Sequence, residues 1–145
     1  MFPPLTGTTS DGVLTYAHQT DIRKAWPVIL SGVQAIREAN GEPWLPEDIY
    51  TALVTGRAGL YTFQDSQGVH AGFGVYSVMT LEYEANPVLN IWLGHAEKKE
   101  YGHYGVELSR LIGGAMGLER IVFSTSQENS WVKKFRLFKA YYEVT

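Results

Sequence analysis

The chain has no cysteine among its 145 residues. This absence excludes disulfide bridges, thiolate nucleophiles and metal sites with sulfur ligands. It fits a protein kept in a reducing compartment, and we therefore expect a cytoplasmic location.

Neither a large excess of one charge nor a long apolar run is present. The 12 basic and 15 acidic side chains give a formal net charge of -3, whereas a dedicated nucleic-acid binder is usually strongly basic. No apolar run approaches the ~20 residues that a membrane span needs, and residues 1–5 lack the regions of a signal peptide. We expect neither a membrane nor a nucleic acid as partner, although the basic residues of 133–139 leave a local nucleic-acid contact open as an alternative.

What the chain does have is the composition of a globular protein, with 45% hydrophobic and 13% aromatic residues. A chain of this length fits one domain. Residues 1–12 are rich in Pro, Gly, Thr and Ser and show no apolar period, which predicts an irregular N-terminal arm. The single domain is expected to span residues 13–145.

Four segments predict helices. The apolar positions of 20–36 follow the helical spacing i, i+3, i+4, i+7, although Pro27 requires either a bend or a helix whose first regular position is Pro27. A second helix is predicted to begin at Pro46 and to end before Gly56. Two more are predicted over Leu108–Met116, which Gly117 stops, and over Trp131–Leu137, which is basic.

Six segments predict strands, either by alternation of apolar and polar residues or by short apolar runs. They are Val13–Ala17, Leu60–Phe63, Val69–Leu81, Val88–Leu93, Arg120–Ser124 and Lys139–Val144. Asp65–Gly68 is a turn signal, so the second and third strands are expected to form a hairpin.

The turn between the fourth strand and the third helix is the most informative segment. From Gly94 to Gly105 it is charged and punctuated by glycine. A strand that leads through such a turn into a helix N-terminus presents free backbone N–H groups to an anion, and the helix dipole adds to the attraction. The sequence therefore predicts an anion site of the kind that holds a pyrophosphate.

This order of elements, with the turn in that place, resembles the GNAT superfamily of acyl-CoA N-acyltransferases over about residues 14–144. Within it the chain is most similar to a small group of phage-encoded GNAT-like proteins. The resemblance rests on Pro46-Glu47-Asp48-Ile49-Tyr50, Leu53, Gly56-Arg57-Ala58, Asn90-Ile91-Trp92-Leu93-Gly94, Gly117-Leu118-Glu119, Ser130-Trp131 and Tyr141-Tyr142-Glu143-Val144. It implies an α/β (α+β) fold, a GNAT-like mixed central sheet of about six strands flanked by about four helices, with strands four and five splayed apart.

The resemblance also implies acetyl-CoA as the cofactor. The family's diagnostic turn is Arg or Gln, two residues, Gly, one residue, then Gly or Ala. Its nearest match is Lys99-Glu100-Tyr101-Gly102-His103-Tyr104, where a bulky Tyr104 stands at the small position and could fill the space of the pyrophosphate. The cofactor-binding residues that we expect are Trp92, Leu93, Gly94, Lys99, Gly102, His103, Tyr104, Gly105 and Asn129.

For the base, the resemblance points to the ends of the third and fourth strands, where Glu82, Glu84 and His95 lie. A base is needed because the acceptor ammonium must lose a proton before it attacks the thioester. A metal site built from His95 and His103 is disfavoured, because their spacing lacks the helical pairing of metal ligands. We expect no metal.

The departing thiolate needs an acid, which the family supplies from a tyrosine after an asparagine that follows the fifth strand. Asn129 matches the asparagine, but Arg136 stands seven residues later in place of the tyrosine. Tyr141 or Tyr142 is expected to substitute. The predicted catalytic set is Glu82, His95 and Tyr141. We also expect the chain to end at its sixth strand, without the seventh that is usual in the family.

These expectations lead to a function and an alternative to it. The first is acetyl transfer from an acyl-CoA to an amine of unknown identity, on a small molecule or a host protein. The alternative is a catalytically inactive GNAT-fold phage protein that acts as a structural, virion or host-interaction module. The location would then be the host cytoplasm or the virion, and a homodimer is left open.

Overall fold

The computed structural model describes residues 2–81, 85–124, 136–138 and 141–143. Within them the chain forms eight strands and three α-helices. The strands are β1 (Thr6–Thr8), β2 (Thr15–Gln19), β3 (Ala58–Gln64), β4 (His70–Met79), β5 (Val88–Ala96), β6 (Ile121–Ser124), β7 (Arg136–Phe138) and β8 (Tyr141–Glu143). The helices are α1 (Ile22–Asn40), α2 (Pro46–Val54) and α3 (Tyr104–Met116), and a turn of 3-10 helix at Lys99–Tyr101 precedes α3.

The eight strands form one sheet in the order β1-β2-β3-β4-β5-β6-β8-β7. Neighbouring strands are antiparallel except β5 and β6, which are parallel. The predicted mixed α+β sheet is therefore confirmed. The helix start at Pro46 and the stop at Gly117, where φ is 70°, are also as predicted. The described residues contain three of the roughly four helices expected.

The irregular arm predicted for residues 1–12 is wrong at Thr6–Thr8, which forms β1 and pairs with β2. Asp11 closes the turn of this hairpin, because its Oδ1 accepts hydrogen bonds from the Thr9 hydroxyl at 2.8 Å and the Val13 N–H at 3.1 Å. A strand of three residues has too few side chains to show a period of two, so its composition indicated a loop.

Two expectations for the C-terminal part are also wrong. Arg136 and Leu137 belong to β7, where the sequence predicted the end of a basic helix; residues 131–135 lie outside the described part. β7 pairs with β8, and β8 lies between β7 and β6. Two strands therefore follow β6, and the last strand that we expected to be missing is present. The backbone groups of β7 and β8 are hydrogen-bonded through their pairing with each other. The spacing of apolar residues within one segment does not reveal such pairing.

The helix α1 begins before Pro27 and runs through it. Asp21 caps its start, with Oδ1 accepting from the Lys24 N–H at 3.3 Å, and Gly41 ends it with a φ of 62°. A helix whose first regular position is Pro27 is thus excluded. Among the described residues, no helix is both long and apolar enough to span a bilayer.

The sheet separates two hydrophobic cores. Leu60 and Val75 pack with α1 and α2, whereas their chain neighbours Tyr61 and Tyr76 pack with α3. This division follows from the strand geometry, because successive side chains point to opposite faces. The central strands are covered on both faces, so a site in the middle of the sheet is bounded by both layers of helices.

Candidate functional site

The parallel strands β5 and β6 separate soon after they meet. They pair only over Leu89–Ile91, whereas β5 continues to Ala96. From Trp92 onward, within the described part of the chain, β5 has a neighbouring strand on one side only, which is β4. The splay predicted between the fourth and fifth strands is confirmed, and it opens a gap in the middle of the sheet.

A β-bulge lies where the two strands separate. Val75 of β4 pairs with Leu93, and Tyr76 pairs with Ile91, so that Trp92 has no opposite residue on β4. Bulges bend a strand and re-aim its side chains, and they are common beside active sites. Trp92 is therefore the point at which β5 turns away from β6.

Beyond the bulge, β5 has backbone groups that pair with no other strand among the described residues. The Glu97 N–H, just after the strand, donates to the Ala71 carbonyl at 2.9 Å. Because backbone groups of successive strand residues point to alternate sides, those of Ala96 and Gly94 point away from β4 and into the gap. Gly94 is one of the residues predicted to bind the cofactor.

A cavity of about 310 Å³ occupies the gap, which is at the small end of the range for small-molecule sites. It extends from the C-terminal end of α1 and the segment after it, on one face of the sheet, to the turn before α3 on the other. The end walls are lined by Ile36, Asn40 and Glu42 on one side and by Tyr101, Gly102, Gly105 and Val106 on the other. The predicted residues Trp92, Leu93, Gly94 and His95 line the middle.

The turn before α3 presents backbone donors. The Gly102 N–H donates to the Lys99 carbonyl, and the Glu107 N–H donates to the carbonyl of His103. Between these bonds, Tyr104–Val106 begins α3, and the first N–H groups of an α-helix have no carbonyl within the helix to bind. Lys99 and His103 are exposed beside them. The donors and the positive end of the helix dipole lie where the sequence predicted an anion site.

The Tyr104 side chain, which the motif placed against the pyrophosphate, turns away from the cavity. It is 4% exposed and its hydroxyl donates to Asp11 Oδ2. That hydrogen bond raises the pKa of Tyr104 to about 12. Beside it, the Ser10 N–H and hydroxyl donate to the two oxygens of Glu107 at 3.1 and 2.5 Å. These four residues form an N-terminal clasp, and Tyr104 is not among the residues that line the cavity.

Tyr76 lines the cavity and was not found from the sequence. Its side chain is fully buried, and its hydroxyl donates to the Gly105 carbonyl at 3.1 Å, which ties β4 to the first turn of α3. Burial raises the pKa of this phenol, so it stays protonated and can donate. The signal in the sequence was Gly74, two residues earlier on the same face of β4, which leaves space for the Tyr76 ring. A Cβ at Gly74 would lie 2.6 Å from the phenol oxygen of Tyr76.

His95 lies in the cavity wall with a carboxylate beside it. Its Nε2 is 3.5 Å from Glu97 Oε1, and Nε2 of His70 is 3.9 Å from the same oxygen. Burial lowers the pKa of His70, an effect that the Glu97 charge opposes. The His95 ring also packs on Gly32 of α1, where a Cβ would lie 3.0 Å from Cδ2. An imidazole held beside a carboxylate is suited to accept a proton.

The other predicted site residues are only partly covered. Glu82, Glu84 and Asn129 lie outside the described residues. Tyr141 begins β8 and pairs with Ser124 of β6. Ser124 directly follows Phe123, the last residue of β6 that pairs with β5. In the part of the chain that the structure describes, no group of three or more His, Cys, Asp and Glu side chains is arranged to hold a metal ion.

Comparison with known proteins identifies the fold. No family model and no curated protein matches the sequence. Among solved structures, a probable acetyltransferase is similar with a TM-score of 0.62 and 14% identity, over 87% of this chain and 91% of that chain. A GNAT-family acetyltransferase from Listeria monocytogenes gives 0.62 and 11%, over 96% and 97%. An aminoglycoside acetyltransferase from a soil metagenomic sample, in complex with sisomicin, gives 0.58 and 13%, over 83% and 81%. The chain has the GNAT fold.

Proposed function

We propose that this chain transfers an acetyl group from acetyl-CoA to an amine. The observation that best supports the proposal is a single cavity that joins the gap between β5 and β6, the turn before α3 and the imidazole of His95. The three similar structures named above are all described as acetyltransferases.

The proposed cofactor lies along β5. Backbone N–H groups of His103–Val106 bind the diphosphate, with Lys99 at the rim and the helix dipole favouring negative charge. The amide groups of the pantetheine arm pair with the outward backbone groups of Gly94 and Ala96, as an added strand would. This places the thioester near Trp92, where the strands part.

The amine enters from the opposite end of the cavity, beside Asn40 and Glu42. His95 removes a proton from the ammonium, and the free amine attacks the thioester carbonyl. The C–N bond forms, the C–S bond breaks and the CoA thiolate leaves. We assign the proton for the thiolate to Tyr141, in keeping with the sequence prediction, because β8 begins beside the end of β6. The second proton that the nitrogen loses as the amide forms returns to the Tyr141 oxygen. Holding both reactants in one cavity supplies most of the rate enhancement.

Thermal shift with acetyl-CoA tests cofactor binding. A ligand at ~100 times its Kd stabilises the folded state by about 2.7 kcal/mol, which raises the Tm by roughly 5–10 °C for a domain of this size. S-acetylpantetheine, which lacks the diphosphate, should give a much smaller shift at the same concentration. Equal shifts for both ligands would contradict an anion site at α3.

A charge variant with a matched control tests the same site in the protein. A Cβ at Gly102 would contact only the Lys99 carbonyl oxygen, at 3.5 Å, so a side chain fits there. Gly102→Glu places a negative charge at the turn and should weaken acetyl-CoA binding at least ten-fold relative to Gly102→Gln, since hydrogen bonds to charged groups contribute about 1.5–3 kcal/mol. Equal affinities in the two variants would contradict the proposal.

The absence of any shift at millimolar acetyl-CoA would favour the alternative, in which the chain keeps the GNAT scaffold without the chemistry. A shift without formation of an acetylated amine would indicate an acyl-CoA sensor. Acetylation of an amine on a small molecule or a host protein, detected by release of free CoA thiol, would establish the activity.

A further inference from the structure

Two histidines and one glutamate meet beside the cavity. His70 begins β4, His95 lies on β5, and Glu97 follows the end of β5. The antiparallel pairing of these strands brings both imidazoles to the same carboxylate oxygen, Glu97 Oε1, at 3.9 Å from His70 Nε2 and 3.5 Å from His95 Nε2. We call these three residues the histidine–glutamate cluster.

The two rings of this cluster are held by packing. Phe73 lies between them, with its ring centroid 6.4 Å from that of His70 and 5.6 Å from that of His95. The Cδ2 edge of His95 rests on Gly32. The Nδ1 atom lies on the opposite side of the imidazole ring from Cδ2. Because Nε2 is directed to Glu97, Nδ1 is the ring nitrogen that is left to bind the acceptor amine.

Solvent reaches the cluster mainly through the carboxylate. The Glu97 side chain is 50% exposed, whereas those of His70 and His95 are 22% and 25% exposed. The His70 Nε2 atom is buried and has no hydrogen-bond partner. Glu97 is therefore the member of the cluster that can pass a proton to water.

We propose that Glu97 is a positioning residue for acetyl transfer, which holds the Nε2–H of His95 so that Nδ1 accepts the proton of the acceptor ammonium. This inference rests on the proposed function. The net reaction turns an ammonium and a thioester into an amide, a thiol and one free proton. The ammonium N–H bond breaks, the Nδ1–H bond forms, and the resulting imidazolium faces the Glu97 carboxylate until its proton leaves to solvent.

His70 has a supporting role in the cluster. Burial lowers its pKa, so a neutral ring stands beside the imidazolium of His95 instead of a second positive charge. Among the described residues, the titratable groups around His95 are Glu97 on its own strand, His70 of β4 at the same carboxylate oxygen, and Glu42, Tyr76 and Tyr101, which line the same cavity.

Nuclear magnetic resonance of the imidazole N–H groups tests the proposed hydrogen bond from His95 Nε2–H to Glu97 without any substrate. The chain has only four histidines, so the signals can be assigned with single His→Gln variants. We expect an Nε2–H proton of His95 protected from exchange in the wild type, kept in Glu97→Gln and lost in Glu97→Ala. Glu100→Ala, a nearby exposed glutamate outside the cluster, is the matched control and should keep the signal.

A rate measurement then distinguishes a role of Glu97 in positioning His95 from a role in stabilising the fold alone. With ethylamine and lysine as probe amines, Glu97→Gln should lower kcat about ten-fold and leave the KM for acetyl-CoA unchanged, because it keeps the hydrogen bond but removes the charge opposite the imidazolium. A protected signal that persists in Glu97→Ala, or its absence from the wild type, would overturn the inference. The failure of the proposed function would instead appear as a missing thermal shift with acetyl-CoA.

Discussion

Gly32 is the position at which a single methyl group should disturb both the fold and the site. It lies inside α1, where the helix crosses β4 and β5. A Cβ there would lie 2.6 Å from Cε1 of Phe73 and 3.0 Å from Cδ2 of His95. Phe73 is 2% exposed and its ring packs near those of His70 and His95, so relief of the contact has to displace rings into the cavity that Phe73 and His95 line. Gly32→Ala should therefore push apart the two rings of the cavity wall.

Two opposing contributions determine how far Gly32→Ala changes the free energy of unfolding. Alanine is preferred to glycine in a helix interior by about 0.8–1 kcal/mol, whereas overpacking a filled core costs about 1–3 kcal/mol. Gly114 of α3 is the matched control, because a Cβ there meets nothing within 4 Å. Gly114→Ala gains only the first term, so Gly32→Ala should be less stable than Gly114→Ala by about 1–3 kcal/mol.

Urea unfolding of the two variants measures this difference, and unchanged m-values would show that the unfolded states are comparable. At about 2–4 °C for each kcal/mol, the Tm of Gly32→Ala should be roughly 2–12 °C below that of Gly114→Ala. If Gly32→Ala is as stable as Gly114→Ala, the contact between α1 and the two rings is not close, and the argument that α1 positions His95 fails.

Two further predictions concern pH. The folded state raises the pKa of Tyr61, Tyr76 and Tyr104, so these phenols keep their protons at a pH where the unfolded chain loses them. The free energy of unfolding should therefore be unaffected below pH ~10 and fall above it. A urea midpoint that stays constant from pH 8 to about 12 would contradict this. Burial lowers the pKa of His18 and His70, so the unfolded chain binds more protons below pH ~6.5 and stability should decline as the pH falls. Unfolding of His18→Phe, which keeps the ring stacked on Tyr61, should depend less on pH over that range, and an equal dependence would rule out His18 as a source.

The sequence was most informative where a signal was local. The helix start at Pro46 and the stop at Gly117 depend on residues within one turn, and both were predicted correctly. β1 was missed because its three residues are defined by their pairing with β2. Arg136 and Leu137 were assigned to a helix because the pairing of β7 with β8 is not visible in the spacing of β7 itself.

The candidate site divides in the same way. The sequence predicted an anion site at the turn before α3 from a strand followed by a glycine-rich turn, and the turn and the predicted residues of β5 line one cavity. The direction of the Tyr104 side chain could not be predicted, because its partner Asp11 is 93 residues away. The same holds for Tyr76, whose hydroxyl meets a carbonyl 29 residues away, and for Gly32, whose role depends on α1 crossing β5.

The N-terminal clasp constrains how this sequence can change. Tyr104 fits at the start of α3 because its hydroxyl donates to Asp11, and Ser10 donates to Glu107 beside it. Both contacts lie outside the cavity. A small residue at position 104 would leave the Asp11 carboxylate without its phenol and open a void under the helix. Position 104 and the first hairpin are therefore expected to evolve together, so that a redesign of the turn before α3 has to include residues about a hundred positions upstream of it.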